Sequence, residues 1–207
     1  MALERSAHDR DVYFAIISQY TADQLVFVDE SGADSKTGVR KTGWAPSGVA
    51  PVSHTPYNRG ETRLNILPAY TVDGVLAASV YEGSTNGEGF EFWVANILLP
   101  RCNRFPAERS VVVMDNASFY HSERMQALFD AFGVKLVYLP AYSPDLNPIE
   151  EFFGELKAFI RRHWFSWVED PESFGYSFKA FLLWSVDEVS SKSESARGHF
   201  RHSGYEC

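Results

Sequence analysis

Two aspartates each stand directly after a short, wholly apolar run. Asp29 follows Leu25-Val26-Phe27-Val28, and Asp115 follows Val111-Val112-Val113-Met114. Apolar runs this short, rich in β-branched residues, predict strands buried on both faces. Ligand sites in open α/β sheets gather at the carboxyl ends of strands. If these two strands are neighbours, their aspartates face one another at one end of the sheet. Two carboxylates held that close need a shared proton or a cation. A hard divalent ion such as Mg²⁺ prefers oxygen ligands of this kind. The plainer reading of either aspartate alone is a cap on a strand or turn.

A third carboxylate is available from Glu150, at the start of a helix predicted over Ile149–His163. The apolar residues Phe152, Leu156, Phe159 and Ile160, with His163, define its core face. At a turn of about 100° per residue, Glu150 shares a separate stripe with Gly154, Lys157 and Arg161. A carboxylate, a small residue and two cations in line suit a metal at one end and a phosphate backbone beyond it. Glu151 falls on the other flank, with Glu155 and Arg162. On the helix alone, a solvated face that is acidic at its start and basic at its end is what the helix dipole favours anyway.

Other residues compete for roles here. Glu30, Asp34, Asp145 and Glu151 are neighbouring acids; Asp145 sits in a proline loop, where Asp commonly caps a turn. Asn116 can orient Asp115 through its amide or cap a turn. Arg59, Arg63, Lys157, Arg161 and Arg162 are the candidate phosphate contacts, against solvation as the ordinary role of surface cations. Trp44, Tyr57, Tyr120 and Tyr142 can stack on bases or flank a groove, although most aromatics in such a chain are core. His54 and His121 are metal-adjacent or surface residues.

The elements that must position these groups read as strand, hairpin strands, helix, strand, helix, strand, helix, helix. A lead-in covers residues 1–22. A hairpin is expected around Val39–Trp44. Arg63–Tyr70 and Val75–Tyr81 are strands joined through Asp73-Gly74, a good hairpin signal. Glu88–Arg101 is a helix with Phe92, Ala95, Ile97, Leu98 and Leu99 on its apolar face. Met125, Leu128, Phe129 and Phe132 mark an amphipathic helix that Gly133 stops. Lys135–Leu139 is a strand, Pro140–Pro148 a loop, and residues 172–190 hold a further helix. Antiparallel strands first and crossovers later predict an α/β fold with one mixed sheet flanked by helices. The domain spans residues 23–190, and residues 191–207 form a polar tail.

Composition sets the frame. A chain of 207 residues with 45% hydrophobic and 22% charged residues has enough apolar material for one well-formed core. With 19 basic against 27 acidic residues the net charge is −8, which argues against a general polyanion binder. It leaves room for an enzyme that meets nucleic acid through a local basic groove and a carboxylate cluster. Two cysteines, Cys102 and Cys207, make neither a disulfide framework nor a zinc site by themselves, so a reducing compartment is expected. No apolar run is long enough to span a membrane, and the first residues carry charges where a secretion signal needs an apolar core.

The stretches LVFVDESG, GWAPSG, LPAYTVDG, VVVMDNASFYHS and KLVYLPAYSPDLNPIEEFFGELKAFIRR carry a resemblance. Together with the 34 residues between Asp115 and Glu150, they resemble the catalytic domain of mariner-type transposases, in the ribonuclease H-like, integrase-related superfamily. Fungal members are the most similar, and the ARGHFRHSGY tail is similar to theirs as well. The resemblance runs from about residue 12 to about residue 205. It implies a ribonuclease H-like fold with Asp29, Asp115 and Glu150 as the catalytic, metal-binding acids. It also implies two Mg²⁺ or Mn²⁺ ions, double-stranded transposon ends as substrate, strand transfer into a TA target, work as a homodimer, and a nuclear location. Such an enzyme needs no covalent nucleophile. Two departures stand out: Tyr120 occupies a position where relatives usually carry His, with His121 next to it, and Ala141 replaces the second proline of their Pro-Pro-Tyr-Ser-Pro-Asp. Relatives also carry an N-terminal helix-turn-helix domain, and no such pattern fits before Asp29. Two other readings follow: a catalytically inactive remnant that binds DNA or protein, and a general ribonuclease H-like nuclease acting on RNA–DNA hybrids.

Overall fold

The computed structural model describes residues 6–38, 44–50, 52, 63–83, 86–115 and 122–207. The expected hairpin around Val39–Trp44 lies almost wholly outside them. The strands are β1 (Leu25–Val28), β2 (Ser31–Ala33), β3 (Leu64–Thr71), β4 (Gly74–Glu82), β5 (Val111–Met114) and β6 (Lys135–Tyr138). The helices are α1 (Ala7–Ile17), α2 (Gly87–Trp93), α3 (Glu123–Phe132), α4 (Pro148–Glu169), α5 (Phe178–Ser190) and α6 (Ser193–His202).

One mixed sheet holds all the strands. β4 pairs antiparallel with β3, and β3 pairs antiparallel with β1 and β2. β1 then pairs parallel with β5, and β5 with β6. β1 and β2 are two halves of one strand. Phe27 and Val28 face Tyr70 and Ala69, while Ser31, Gly32 and Ala33 face Ile66, Asn65 and Leu64. This is a single uninterrupted register, in which Asp29 stands opposite Pro68. Proline has no N–H to give the Asp29 carbonyl. The ladder therefore lapses at Asp29 and Glu30 and resumes at Ser31. The outcome is a five-strand mixed sheet, the ribonuclease H-like arrangement, with a gap in its hydrogen bonding beside Asp29.

Side-chain alternation divides the sheet into two faces. Leu25, Phe27, Val111, Val113 and Val137 point to the face covered by α1, α4, α5 and α6. Val26, Val28, Val112 and Met114 point to the other, against Phe90, Trp93, Val94, Met125 and Phe129 from α2, α3 and the turn after α2. The short apolar runs are thus buried on both faces, as their composition requires.

Several elements differ from their expected form. The segment after β4 is helical from Gly87 to Arg101, but α2 passes into a π turn over Val94–Leu98 and a 3₁₀ turn over Leu99–Arg101. Its buried face is Phe90, Trp93, Val94, Leu98 and Leu99, while Phe92 is 66% exposed. The wider turn shifts the face by part of a turn, and a constant helical period misses that shift. α4 runs on to Glu169, burying Ile149, Phe153 and Trp164 beside the expected Phe152, Leu156 and Ile160. Phe159 and His163 are only partly buried; they stack on each other, with Trp184 of α5 against both. The last segment, read as a polar tail, folds into α6 and buries Ala196 and Phe200.

Candidate active site

The geometry follows from register. Val28 pairs with Met114 as the last rung of the parallel β1–β5 ladder. The next residue on each strand is an aspartate, so Asp29 and Asp115 emerge side by side at the carboxyl end of the sheet. By alternation both belong to the face that α4 covers. The chain leaves β6 through Leu139, whose N–H donates to the Met114 carbonyl at 2.8 Å. It then turns through a loop into α4, with Pro148 at the first helical turn, where its missing N–H costs nothing. Packing of Ile149, Phe152 and Phe153 into the core sets the rotation of that first turn, which leaves Glu150 exposed.

Asp29, Asp115 and Glu150 together line one open cleft of about 430 Å³. Among the described residues, the rest of its wall is the loop: Leu139, Pro140, Ala141, Tyr142, Ser143, Pro144 and Asn147. The three acids interact electrostatically. Burial pushes the Asp29 carboxyl up to about 7; the Glu30 N–H opposes this, the charges of Glu150 and Asp115 add to it, and the Asn147 amide opposes it. Such a set of mutually repelling hard oxygen donors is what a divalent cation relieves. Among the described residues no three His, Cys, Asp or Glu side chains close into a ready-made metal cage.

Asp29 is held at both oxygens. Oδ1 accepts the Glu30 N–H at 2.7 Å, and Oδ2 accepts from Asn147 Nδ2 at 3.0 Å. Asn147 is the residue the sequence reading missed. An Asn before Pro at a helix start reads as an ordinary N-cap, yet its side chain caps nothing in α4. It reaches the aspartate instead, and its buried Oδ1 has no hydrogen-bond partner among the described residues. Buried amide oxygens are rarely left so.

The rival acids are engaged elsewhere. Glu30 accepts from the Tyr81 hydroxyl at 2.9 Å. Asp34 caps the turn Ser35–Thr37 through the Thr37 N–H. Asp145 is bridged by both terminal nitrogens of Arg10, at 3.2 and 2.9 Å. Glu151 meets His202 Nδ1 at 3.1 Å, and Glu155, on the same flank, meets Lys192 at 2.9 Å. That flank faces α6 and the turn before it, not the cleft.

The candidate DNA contacts divide. Arg63 is exposed at the start of β3. Its guanidinium lies so close over Gly32 that a Cβ there would collide with it. Lys157 lies over the Phe153 ring, Arg161 is half-buried and Arg162 is exposed. Tyr142 lines the cleft, 58% exposed, with a left-handed φ of 55°. Trp44 is fully exposed, away from any core. Arg59, Asn116, Tyr120 and His121, with His54 and Tyr57, lie outside the described residues.

Known proteins agree with this architecture. The Mos1 transposase paired-end complex with left transposon end matches with a TM-score of 0.61 at 16% identity, covering 99% of this chain and 65% of that one. The Mos1 paired end complex with Mg matches with a TM-score of 0.58 at 16% identity, covering 95% and 61%. The catalytic domain of Mos1 mariner transposase matches with a TM-score of 0.51 at 16% identity, covering 100% and 98%. The chain thus spans less than two thirds of the longer transposase chains and nearly all of the isolated catalytic domain. No curated protein sequence matches it. A family profile described as DDE superfamily endonuclease matches residues 24–170, from the first strand to the end of α4, and the chain belongs to that family.

Proposed function

We propose that this chain is a transposase-type catalytic domain that cleaves DNA phosphodiester bonds and transfers strands, with Asp29, Asp115 and Glu150 as its metal-binding acids. The observation that carries this reading is the convergence of three carboxylates, from two adjacent strand ends and one helix start, on a single cleft. Family membership supports endonuclease chemistry. The Mos1 complexes are described with Mg and with Mn, which supports those ions as the cofactors here.

The three acids would hold the cations, and the donor chemistry suits them: hard, charged oxygens beside an open cleft. When bound, a pair of such ions activates a water or a DNA 3′-hydroxyl and stabilises the leaving oxygen of an in-line displacement. Asn147 and the Glu30 N–H fix the carboxylate plane of Asp29. Lys157 and Arg161, further along the Glu150 stripe, take phosphates of the strand leaving the cleft, with Arg63 and Arg162 as outer contacts and Arg59 as a further candidate. Double-stranded transposon ends are the substrate, TA the target, a homodimer the working unit and the nucleus the location.

The test is nicking of supercoiled plasmid in Mn²⁺, wild type beside Asp115→Asn, Glu150→Gln and Glu151→Gln. Asp115→Asn should abolish metal-dependent nicking without unfolding the chain. Glu150→Gln should be nearly as severe. Glu151→Gln should stay close to wild type, since that carboxylate faces His202. Nicking that survives Asp115→Asn overturns the assignment. A wild type that neither binds Mn²⁺ nor nicks, with DNA present, points instead to a binding role for the same fold. Preference for RNA–DNA hybrids over duplex DNA would point to the general nuclease.

A further inference from the structure

We propose that Tyr205, near the C-terminus, is a positioning residue of the active site, acting through the Leu146 carbonyl on Asn147 and Glu150. This rests on the reading of the three acids as the metal site.

The Tyr205 hydroxyl lies 2.7 Å from the Leu146 carbonyl and 2.6 Å from the Tyr13 hydroxyl. The hydrogen-bond directions follow from the acceptor chemistry. A carbonyl oxygen only accepts, so Tyr205 donates its proton to Leu146. Its oxygen is then left to accept the proton of Tyr13. Both tyrosines are buried, Tyr13 at 3% and Tyr205 at 9% exposure. Tyr13 comes from α1 and Tyr205 from the chain just past α6, so two distant segments converge on the back of the cleft loop.

The contact falls at a sensitive point. The Leu146 carbonyl belongs to the peptide group that leads into Asn147, so the tyrosine fixes the plane of that peptide. Asn147 then branches two ways. Its side chain holds Asp29 Oδ2 at 3.0 Å. Its carbonyl accepts the Glu150 N–H at 3.1 Å, the bond that opens α4. One hydroxyl therefore stands two bonded contacts from Asp29 and two from the backbone of Glu150. Arg10, one turn before Tyr13 on α1, grips Asp145 in the same loop, so α1 and the C-terminal segment together hold the loop from behind.

Tyr205→Phe and Tyr13→Phe form a matched pair. Each removes one oxygen and the Tyr–Tyr bond; only Tyr205→Phe also removes the bond to Leu146. The Tyr205 ring keeps its contacts with Phe27 and Phe200. The experiment measures the Mn²⁺ dependence of plasmid nicking, Mn²⁺ binding by calorimetry, melting temperature, and amide hydrogen exchange over residues 144–152. Tyr205→Phe should raise the Mn²⁺ needed for half-maximal nicking by about tenfold, the scale for groups that hold metal ligands in place. It should weaken Mn²⁺ binding in parallel and speed exchange at the Glu150 amide. Tyr13→Phe should lower the melting temperature comparably while its Mn²⁺ requirement stays within about twofold of wild type. Equal effects of the two variants on metal requirement and exchange would overturn the proposal and leave Tyr205 as packing. If wild type neither binds Mn²⁺ nor nicks, the metal-site reading fails, and exchange still judges the latch: faster exchange at Glu150 in Tyr205→Phe alone sustains its hold on the loop, and unchanged exchange removes it.

Discussion

At the scale of single residues, the acids and the amide were unequally legible. Asp29 and Asp115 announce themselves because each ends a run too apolar to be anything but a central strand, and adjacent parallel strands bring their ends together. Glu150 is separable from Glu151 by helical phase, and the structure turns the two in the directions that phase requires. Asn147 escaped because its sequence context has a sufficient ordinary explanation: Asn-Pro at a helix start is what capping preference alone would produce. Only the tertiary contact to Asp29 reveals a different use. Its contribution can be separated from general stability. Asn147→Ala leaves Asp29 Oδ2 without its donor at a half-buried position, while removing no cap from α4. Loss of one such bond costs stability by about 1 kcal/mol, whereas nicking should fall by about tenfold or more, on the scale for groups that orient metal ligands. Urea denaturation beside plasmid nicking checks this. A fall in stability with undiminished nicking would mean that the amide only packs.

At the scale of elements, the gap between β1 and β2 comes from one proline on the neighbouring strand. Pro68 was visible in the sequence, but its partner was not, because register emerges only when β3 is paired. The continuous register makes a prediction. Pro68→Ala introduces an N–H opposite the Asp29 carbonyl, and that amide should be strongly protected from hydrogen exchange. An unprotected amide at position 68 would show that the strand bends away at Asp29 instead. Stability should change by no more than about 1 kcal/mol, since the new bond is offset by the extra freedom of the unfolded chain. α6 was missed for a related reason. Its few apolar residues, Ala196 and Phe200, form too narrow a stripe to recognise in a polar segment. Its docking is partly polar: the Tyr70 hydroxyl and His199 Nδ1 are hydrogen-bonded at 2.8 Å, and Nε2 lies 3.7 Å from Glu155. Burial lowers the His199 pKa, the charges of Glu151 and Glu155 raise it, and His202 lowers it, with the net shift downward. The folded state therefore binds this proton less readily than the unfolded chain. Stability from His199 is full above its ordinary value near 6.5 and is lost as pH falls below it. The difference in urea midpoint between wild type and His199→Gln should narrow on acidification from pH 7.5 to pH 5. A difference independent of pH would remove His199 from the titrating set.

At the scale of the whole molecule, the proposed function raises the question of how a chain with a net charge of −8 would engage a polyanion. A general electrostatic footprint is absent from the composition, so attraction must be local. On the proposed reading the acids of the cleft add to the repulsion until cations neutralise them, and the phosphate contacts are limited to the few candidate cations: Lys157 and Arg161 on the Glu150 stripe, Arg162 on the opposite flank, Arg63 and Arg59. This bounds the salt dependence. Each neutralised phosphate contributes about −0.9 to the slope of log affinity against log salt. Five candidate cations, Arg59, Arg63, Lys157, Arg161 and Arg162, therefore set a limit of about −4.5 if every one makes a contact. The measurement is fluorescence anisotropy of the Asp115→Asn chain on duplex DNA at fixed Mn²⁺, so that the DNA stays intact while monovalent salt is varied. Arg161→Ala should flatten the slope by about one and weaken binding evenly across DNA sequences. A slope far steeper than the limit would mean that DNA reaches a basic surface beyond these five residues. A slope near zero would mean that the α4 stripe meets no phosphate, and that the cations on it serve the helix and its neighbours alone.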